Sequence, residues 1–162
     1  MDVIDWMWQR PIGQSVDQLC DLIDSCCYCI IYFVCFRHLG DCYWNLGNLR
    51  EEAIQSHSTY LEMSQDLGNA LETQRALTTL GGTYFNYAMS LQEEEEQDKE
   101  IDIRNYLIKS QVLFEKALQA ITFLTQQDCP QAERTEMKLI CYRMLSDQCY
   151  LLGDAPKGGL LV

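Results

Sequence analysis

The sequence predicts an all-α fold, a helical hairpin solenoid of about five or six helices that is incomplete at its C-terminal end. Three observations predict it. A phrase returns along the chain, as Leu39-Gly40-Asp41-Cys42-Tyr43, Leu80-Gly81-Gly82-Thr83-Tyr84 and, degraded, Leu145-Ser146-Asp147-Gln148-Cys149. Apolar residues recur at three- and four-residue steps from Arg37 onward. Glycine, proline and charge runs break that pattern at hairpin intervals. A unit repeated in this way buries its apolar face on its neighbours rather than on itself.

The first helix carries Leu39, Tyr43 and Leu46 and stops at Gly47-Asn48, a pair suited to the left-handed turn that closes a helix. A second begins near Arg50, with Glu51 and Glu52 in the turn where negative charge favours the helix dipole. It shows Ala53, Ile54, Tyr60, Leu61 and Leu67 and ends at Gly68-Asn69. The third presents Thr73, Leu77, Leu80, Tyr84, Tyr87 or Ala88, and Leu91 on one face. It dissolves in Glu93-Glu94-Glu95-Glu96-Gln97-Asp98, a self-repelling block that predicts an acidic loop over about residues 92–102.

A fourth helix is expected from about Asp102 to Thr125, burying Leu107, Ser110, Phe114, Ala117, Ile121 and Leu124. Asp128-Cys129-Pro130 is a restart signal that puts proline in the first turn of a fifth helix, where its missing N–H costs nothing. That helix carries Met137, Ile140, Cys141, Met144, Leu145 and Tyr150. The segment Ala155-Pro156-Lys157-Gly158-Gly159 cannot continue it, so residues 155–162 form a tail and the third unit lacks its second helix. Such an end invites further repeats or self-association.

Residues 1–36 stand apart from the repeated region, 37–154. One helix from Val16 to Cys35, with Leu19, Leu22, Ile23, Cys26, Ile30 and Phe33 on one side, would stand in for an upstream repeat helix. Against it, Ile30 to Val34 is rich in β-branched and aromatic residues, and the segment then reads as foreign to the array.

The chain has 24 acidic and 12 basic residues, a net charge of -12. Direct nucleic-acid binding, which draws on counterion release by basic surfaces, is therefore not expected, and basic protein segments suit this field better. The apolar run from Cys26 to Phe36 falls short of the roughly 20 residues that cross a bilayer, so no membrane span is expected. Nine cysteines without a secretory leader suggest a reducing compartment. Cys26, Cys27, Cys29 and Cys35 offer four thiols, but the second, separated pair of a structural zinc site is missing. His38 and His57 belong to no nucleophile arrangement, and the glutamates of an acidic loop cannot hold a desolvated acid–base pair. Gly81-Gly82 lies inside a helix pattern rather than a phosphate-binding loop. No enzyme, metal or cofactor is expected.

The repeated phrase, the glycine about seven residues after it in Leu46-Gly47-Asn48 and Leu152-Gly153-Asp154, and Phe114-Glu115-Lys116-Ala117-Leu118 together resemble tetratricopeptide repeats. Tyr60-Leu61-Glu62-Met63-Ser64-Gln65-Asp66-Leu67 with Glu72-Thr73-Gln74-Arg75-Ala76-Leu77 is similar to the variety of roughly forty residues. Within it, the likeness from about Arg37 to Asp154 points to the N-terminal arrays of the Tonsoku-like family. This resemblance implies a nuclear scaffold of replication-fork repair by homologous recombination; apart from it, the expected location is cytoplasmic. Nothing matches that family's ankyrin or leucine-rich regions. Cortical spindle-orientation adaptors share the long repeat but carry Asn in place of Asp41 and Gly82, which weakens that alternative. A cysteine-rich metal-binding element is the alternative from another class.

The tetratricopeptide resemblance also implies a concave groove for protein partners, lined by the first helix of each hairpin. Its lining would be Arg37, Asp41, Trp44 and Asn45, then Arg75, Thr78, Gly82, Phe85 and Asn86, then Arg143 and Asp147. Arg and Asn there can bond an extended peptide, and Trp44 and Phe85 supply anchoring area. It further places His57 where side chains pack between helices.

Overall fold

A computed structural model describes residues 26–47, 49–93 and 99–153, with side chains from residue 31 onward. Its five helices are α1 (Cys26–Asn45), α2 (Arg50–Asp66), α3 (Ala70–Glu93), α4 (Glu100–Ile121) and α5 (Gln131–Leu151). The protein is all-α, with no strand among the described residues. Asn48, residues 1–25, 94–98 and 154–162, and the side chains of Cys26, Cys27 and Cys29 lie outside the description, and with them much of the expected N-terminal helix, acidic loop and tail. The chain divides into two units, 1–34 and 35–162, and the packing below lies within the second.

The turns follow the glycines. Gly47, Gly68 and Gly153 all have positive φ, between +62 and +79, the left-handed region where a Cβ is penalised. At Gly68 the closing bonds run from Leu67 N to Met63 O and from Gly68 N to Gln65 O. Asn69 then opens α3 by accepting from the Glu72 amide through Oδ1.

Helix direction is fixed by pairs of contacts. Tyr60 meets Glu72 and His57 meets Thr83, so α2 and α3 run antiparallel. Tyr84 stacks on Tyr106 while Ser110 reaches Gly81, so α3 and α4 do likewise. Ser110 with Gln148 and Leu124 with Arg134 set α4 against α5. Arg75 with Glu133 and Thr78 with Cys141 show that α3 and α5, alternate in sequence, run parallel. Each of α3 to α5 packs mainly on its chain neighbours, and α1 meets α2 at Gly40 and His57.

The core joins α3, α4 and α5. Leu77, Phe114, Ala117, Ile121 and Cys141 form its centre, with Leu61, Leu113, Met137, Met144 and Leu145 packed around them. Burying a large apolar side chain of this kind contributes about 1.5–3 kcal/mol. All six positions expected to face inward from the fourth helix are buried, including Leu124 just beyond its end.

Several expectations change. The fourth helix ends at Ile121 rather than Thr125, because Asp128 Oδ2 accepts from both the amide and the hydroxyl of Thr125 and closes a separate turn. Those bonds also hold the exposed Asp128 carboxyl below its ordinary pKa. Pro130 lies one residue before α5, at its cap, with φ -58 and ψ 150, not in the first turn. Of the segment expected as an acidic loop over about 92–102, α3 includes residues up to Glu93 and α4 those from Glu100, and residues 94–98 lie outside the description. The β-branched run from Ile30 to Val34 lies within α1, despite its local preference against a helix. Finally, Leu39, Leu46, Leu67, Ile140 and Tyr150 are exposed rather than packed. The first two follow from the narrow α1–α2 contact; Leu67 lies in a turn, and Ile140 and Tyr150 lie on α5, which has α4 as its main neighbour.

Candidate functional site

The alternate helices bring three of the expected groove residues together. Arg37 from α1 and Arg75 and Thr78 from α3 line one cavity of about 210 Å³. Gln74 and Thr79 of α3 and Met137 and Ile140 of α5 complete it. Helical spacing accounts for this membership: on α3, Arg75, Thr78 and Thr79 project to one side, and the buried Gln74 lies at its border with the face that carries Leu77, Leu80 and Gly81.

Arg75 is the fixed point of the wall. It donates from Nη1 to Glu72 Oε1 at 2.7 Å and from Nη2 to Glu133 Oε1 at 3.0 Å, so it ties α3 to the first turn of α5. Tyr60 donates to the other oxygen of Glu72 at 2.6 Å, extending the network to α2. Burial opposes the Arg75 charge, but its bonds to Glu133 and Glu72 outweigh that and its pKa is raised. Burial and the neighbouring Glu72 carboxylate push the Tyr60 hydroxyl well up. Gln74, almost fully buried, donates to Thr78 Oγ1, which in turn donates to the Gln74 carbonyl. The cavity thus has a rigid polar floor and an apolar rim at Met137 and Ile140. Arg37 makes no ion pair among the described residues and is exposed at its edge.

The remaining candidates lie elsewhere on the same three helices. Asp41 turns toward α2, with Oδ1 3.5 Å from His57 Nε2 and Oδ2 3.9 Å from His38 Nδ1. Trp44 is half-buried and Asn45 exposed at the end of α1. Gly82, Phe85 and Asn86 continue the Arg75–Thr78 row along α3, and a Cβ at Gly82 would meet open space. Arg143 and Asp147 are exposed and continue the row of Ile140. None of these lines the cavity.

Sequence reasoning did not assign Gln74, Thr79, Glu72 or Glu133 to the site. The Gln74–Thr78 pair was open to a four-residue spacing argument. The Arg75–Glu133 pair was not, since it joins two helices 58 residues apart in the chain. His57 is buried where the repeat resemblance places such a side chain. Among the described residues no group of His, Cys, Asp and Glu could hold a metal ion, and no helix is long and apolar enough to cross a membrane.

No family model, no curated protein and no solved structure matches this chain.

Proposed function

We propose that this chain is a tetratricopeptide-type scaffold that binds a segment of a partner protein in the groove formed by α1, α3 and α5. One observation carries the reading. Side chains from three alternate helices, Arg37, Thr78 and Ile140 among them, converge on one cavity, the arrangement a hairpin array uses to offer a partner-binding face. The antiparallel neighbours and parallel alternates agree with stacked hairpins. The resemblance of Leu39-Gly40, Leu80-Gly81 and the segment from Tyr60 to Leu77 to the Tonsoku-like arrays then suggests a nuclear role in replication-fork repair by homologous recombination. The cavity's fixed guanidinium, satisfied hydroxyl and apolar rim suit recognition rather than reaction.

A photo-reactive residue at position 78 tests both levels. Cross-linking to one defined partner segment, lost on Ile140→Asp, is the expected result. Recovery of cortical spindle proteins instead of fork-repair proteins would replace the nuclear assignment while leaving the groove. Absence of any position-specific cross-link, with a surface position such as 116 as control, would remove the groove.

A further inference from the structure

Tyr84 and Tyr87 of α3 and Tyr106 of α4 form an aromatic cluster of which no member lines the groove cavity. The rings of Tyr84 and Tyr106 stack with centroids 5.9 Å apart, and Tyr87 tilts onto Tyr106 at 4.7 Å. Lys109 Nζ lies 5.4 Å from the Tyr84 centroid and 5.3 Å from that of Tyr106. The ammonium is therefore nearly equidistant from the two rings. The Arg50 guanidinium lies over Tyr87 at 5.7 Å.

The environment favours positive charge in three ways. Ring faces attract cations through their quadrupole. Glu51 and Asp102 act on Tyr106, whose hydroxyl pKa is raised by burial first and then by Tyr87, Asp102 and Glu51. The chain as a whole carries a net charge of -12. Although carboxylates outnumber cations two to one, Lys109 makes no ion pair among the described residues and rests on the rings instead. Lys109 is exposed while all three rings are half-buried, so the seat opens to solvent through the lysine itself. That side chain can leave without any helix moving.

We propose that the Tyr84–Tyr87–Tyr106 cluster is a receptor for a lysine side chain on a basic segment of a partner protein, and that Lys109 is its displaceable internal occupant. The partner's ammonium takes the position over the Tyr84 and Tyr106 rings that Lys109 holds in the free chain. Lys109 competes for the seat, lowering the partner's apparent affinity in proportion to its own occupancy. The site goes beyond the groove and does not depend on it.

Calorimetric titration of the whole chain with acetyl-tetralysine amide tests the proposal. Lys109→Ala should bind this peptide about fivefold more tightly, because the internal competitor is gone. Lys116→Ala makes the same charge change further along α4 and should alter affinity by less than about twofold, as exposed charges are screened. Tyr106→Leu, which leaves charge unchanged, should weaken binding about fivefold, and Tyr106→Phe should retain it. Equal affinities for Lys109→Ala and Lys116→Ala would overturn the proposal, as would a folded Tyr106→Leu chain that binds like the parent. If Tyr106→Leu loses its helical circular dichroism, the comparison of the two lysine variants decides alone. Thr78→Ala, in the groove, should leave this binding unchanged, so the two surfaces fail or stand separately.

Discussion

The imidazole of His57 occupies the space that any side chain at Gly40 would need. A Cβ built on Gly40 would lie 2.2 Å from His57 Nε2 and 2.3 Å from Cδ2. The ring has little room to retreat: it is 2 % exposed, with Nδ1 2.7 Å from Thr83 Oγ1 and Nε2 3.2 Å from the Arg37 carbonyl. Gly40→Ala is therefore expected to break those bonds and part α1 from α2, at a cost of about 1–3 kcal/mol. Urea titration checks this, and an unchanged midpoint would show that α1 is not seated on His57.

The same histidine sets a pH dependence. Arg37 O can only accept, so Nε2 carries the proton in the neutral ring and Nδ1 accepts from Thr83. If Thr83 donates instead to Thr79 O at 2.9 Å, Nδ1 must also be protonated and the ring is an imidazolium facing Asp41. Burial lowers the His57 pKa below its ordinary 6.5, outweighing the Arg37 carbonyl and Asp41, which raise it; the Arg37 charge lowers it further. In the window between the lowered value and 6.5, the unfolded chain binds the proton that the folded chain refuses. Stability is then full above 6.5 and falls as pH drops through that window, by at most ~1.4 kcal/mol per pH unit. Denaturation midpoints from pH 5 to 7.5 should show this slope in the parent and a smaller one in His57→Gln. Equal slopes would sink the assignment.

Gly81 and Gly82 are adjacent in the chain and differ in what surrounds them. A Cβ at Gly81 would stand 3.0 Å from Phe114 Cε2 and 3.4 Å from Leu113 Cβ, whereas one at Gly82 would meet nothing within 4 Å. Gly81→Leu should wedge α3 from α4 and cost roughly 3 kcal/mol or more. Gly82→Ala should instead stabilise the helix by about 0.5–1 kcal/mol, the ordinary gain for alanine over glycine. Thermal unfolding of the pair checks the signs, and two shifts in the same direction would contradict this packing.

A buried polar relay crosses α3, α4 and α5. Ser110 donates to the Gly81 carbonyl at 2.7 Å, which uses its one hydrogen, so Gln148 Nε2 is the donor in the 2.6 Å contact to Ser110 Oγ. Gln148 Oε1 is buried with no hydrogen-bond partner. Ser110→Ala strands the Gln148 amide nitrogen and removes the second bond of the Gly81 carbonyl, which keeps its helical partner, and should cost about 1–3 kcal/mol. Adding Gln148→Leu should recover part of that loss, since an unpaired amide is then no longer buried. Strictly additive losses in the double mutant would mean that the relay is not a unit.

Local sequence determined the helices themselves. Periodicity is set by side-chain projection along a helix, and Gly47 and Gly68 are required by left-handed turns, so α2, the start of α1's turn and the buried stripe from Leu107 to Ile121 were all legible before any packing was known. Tertiary structure alone decided what depends on the distance between helices. It brought Arg75 to Glu133 and Arg37 to Ile140, turned Asp41 onto His57, and left Leu39 and Leu46 in solvent. The reason is physical: a repeat pattern fixes which face of a helix is apolar, but how closely two helices approach is set by the side chains that meet between them, at Gly40 under His57 and at Gly81 under Phe114.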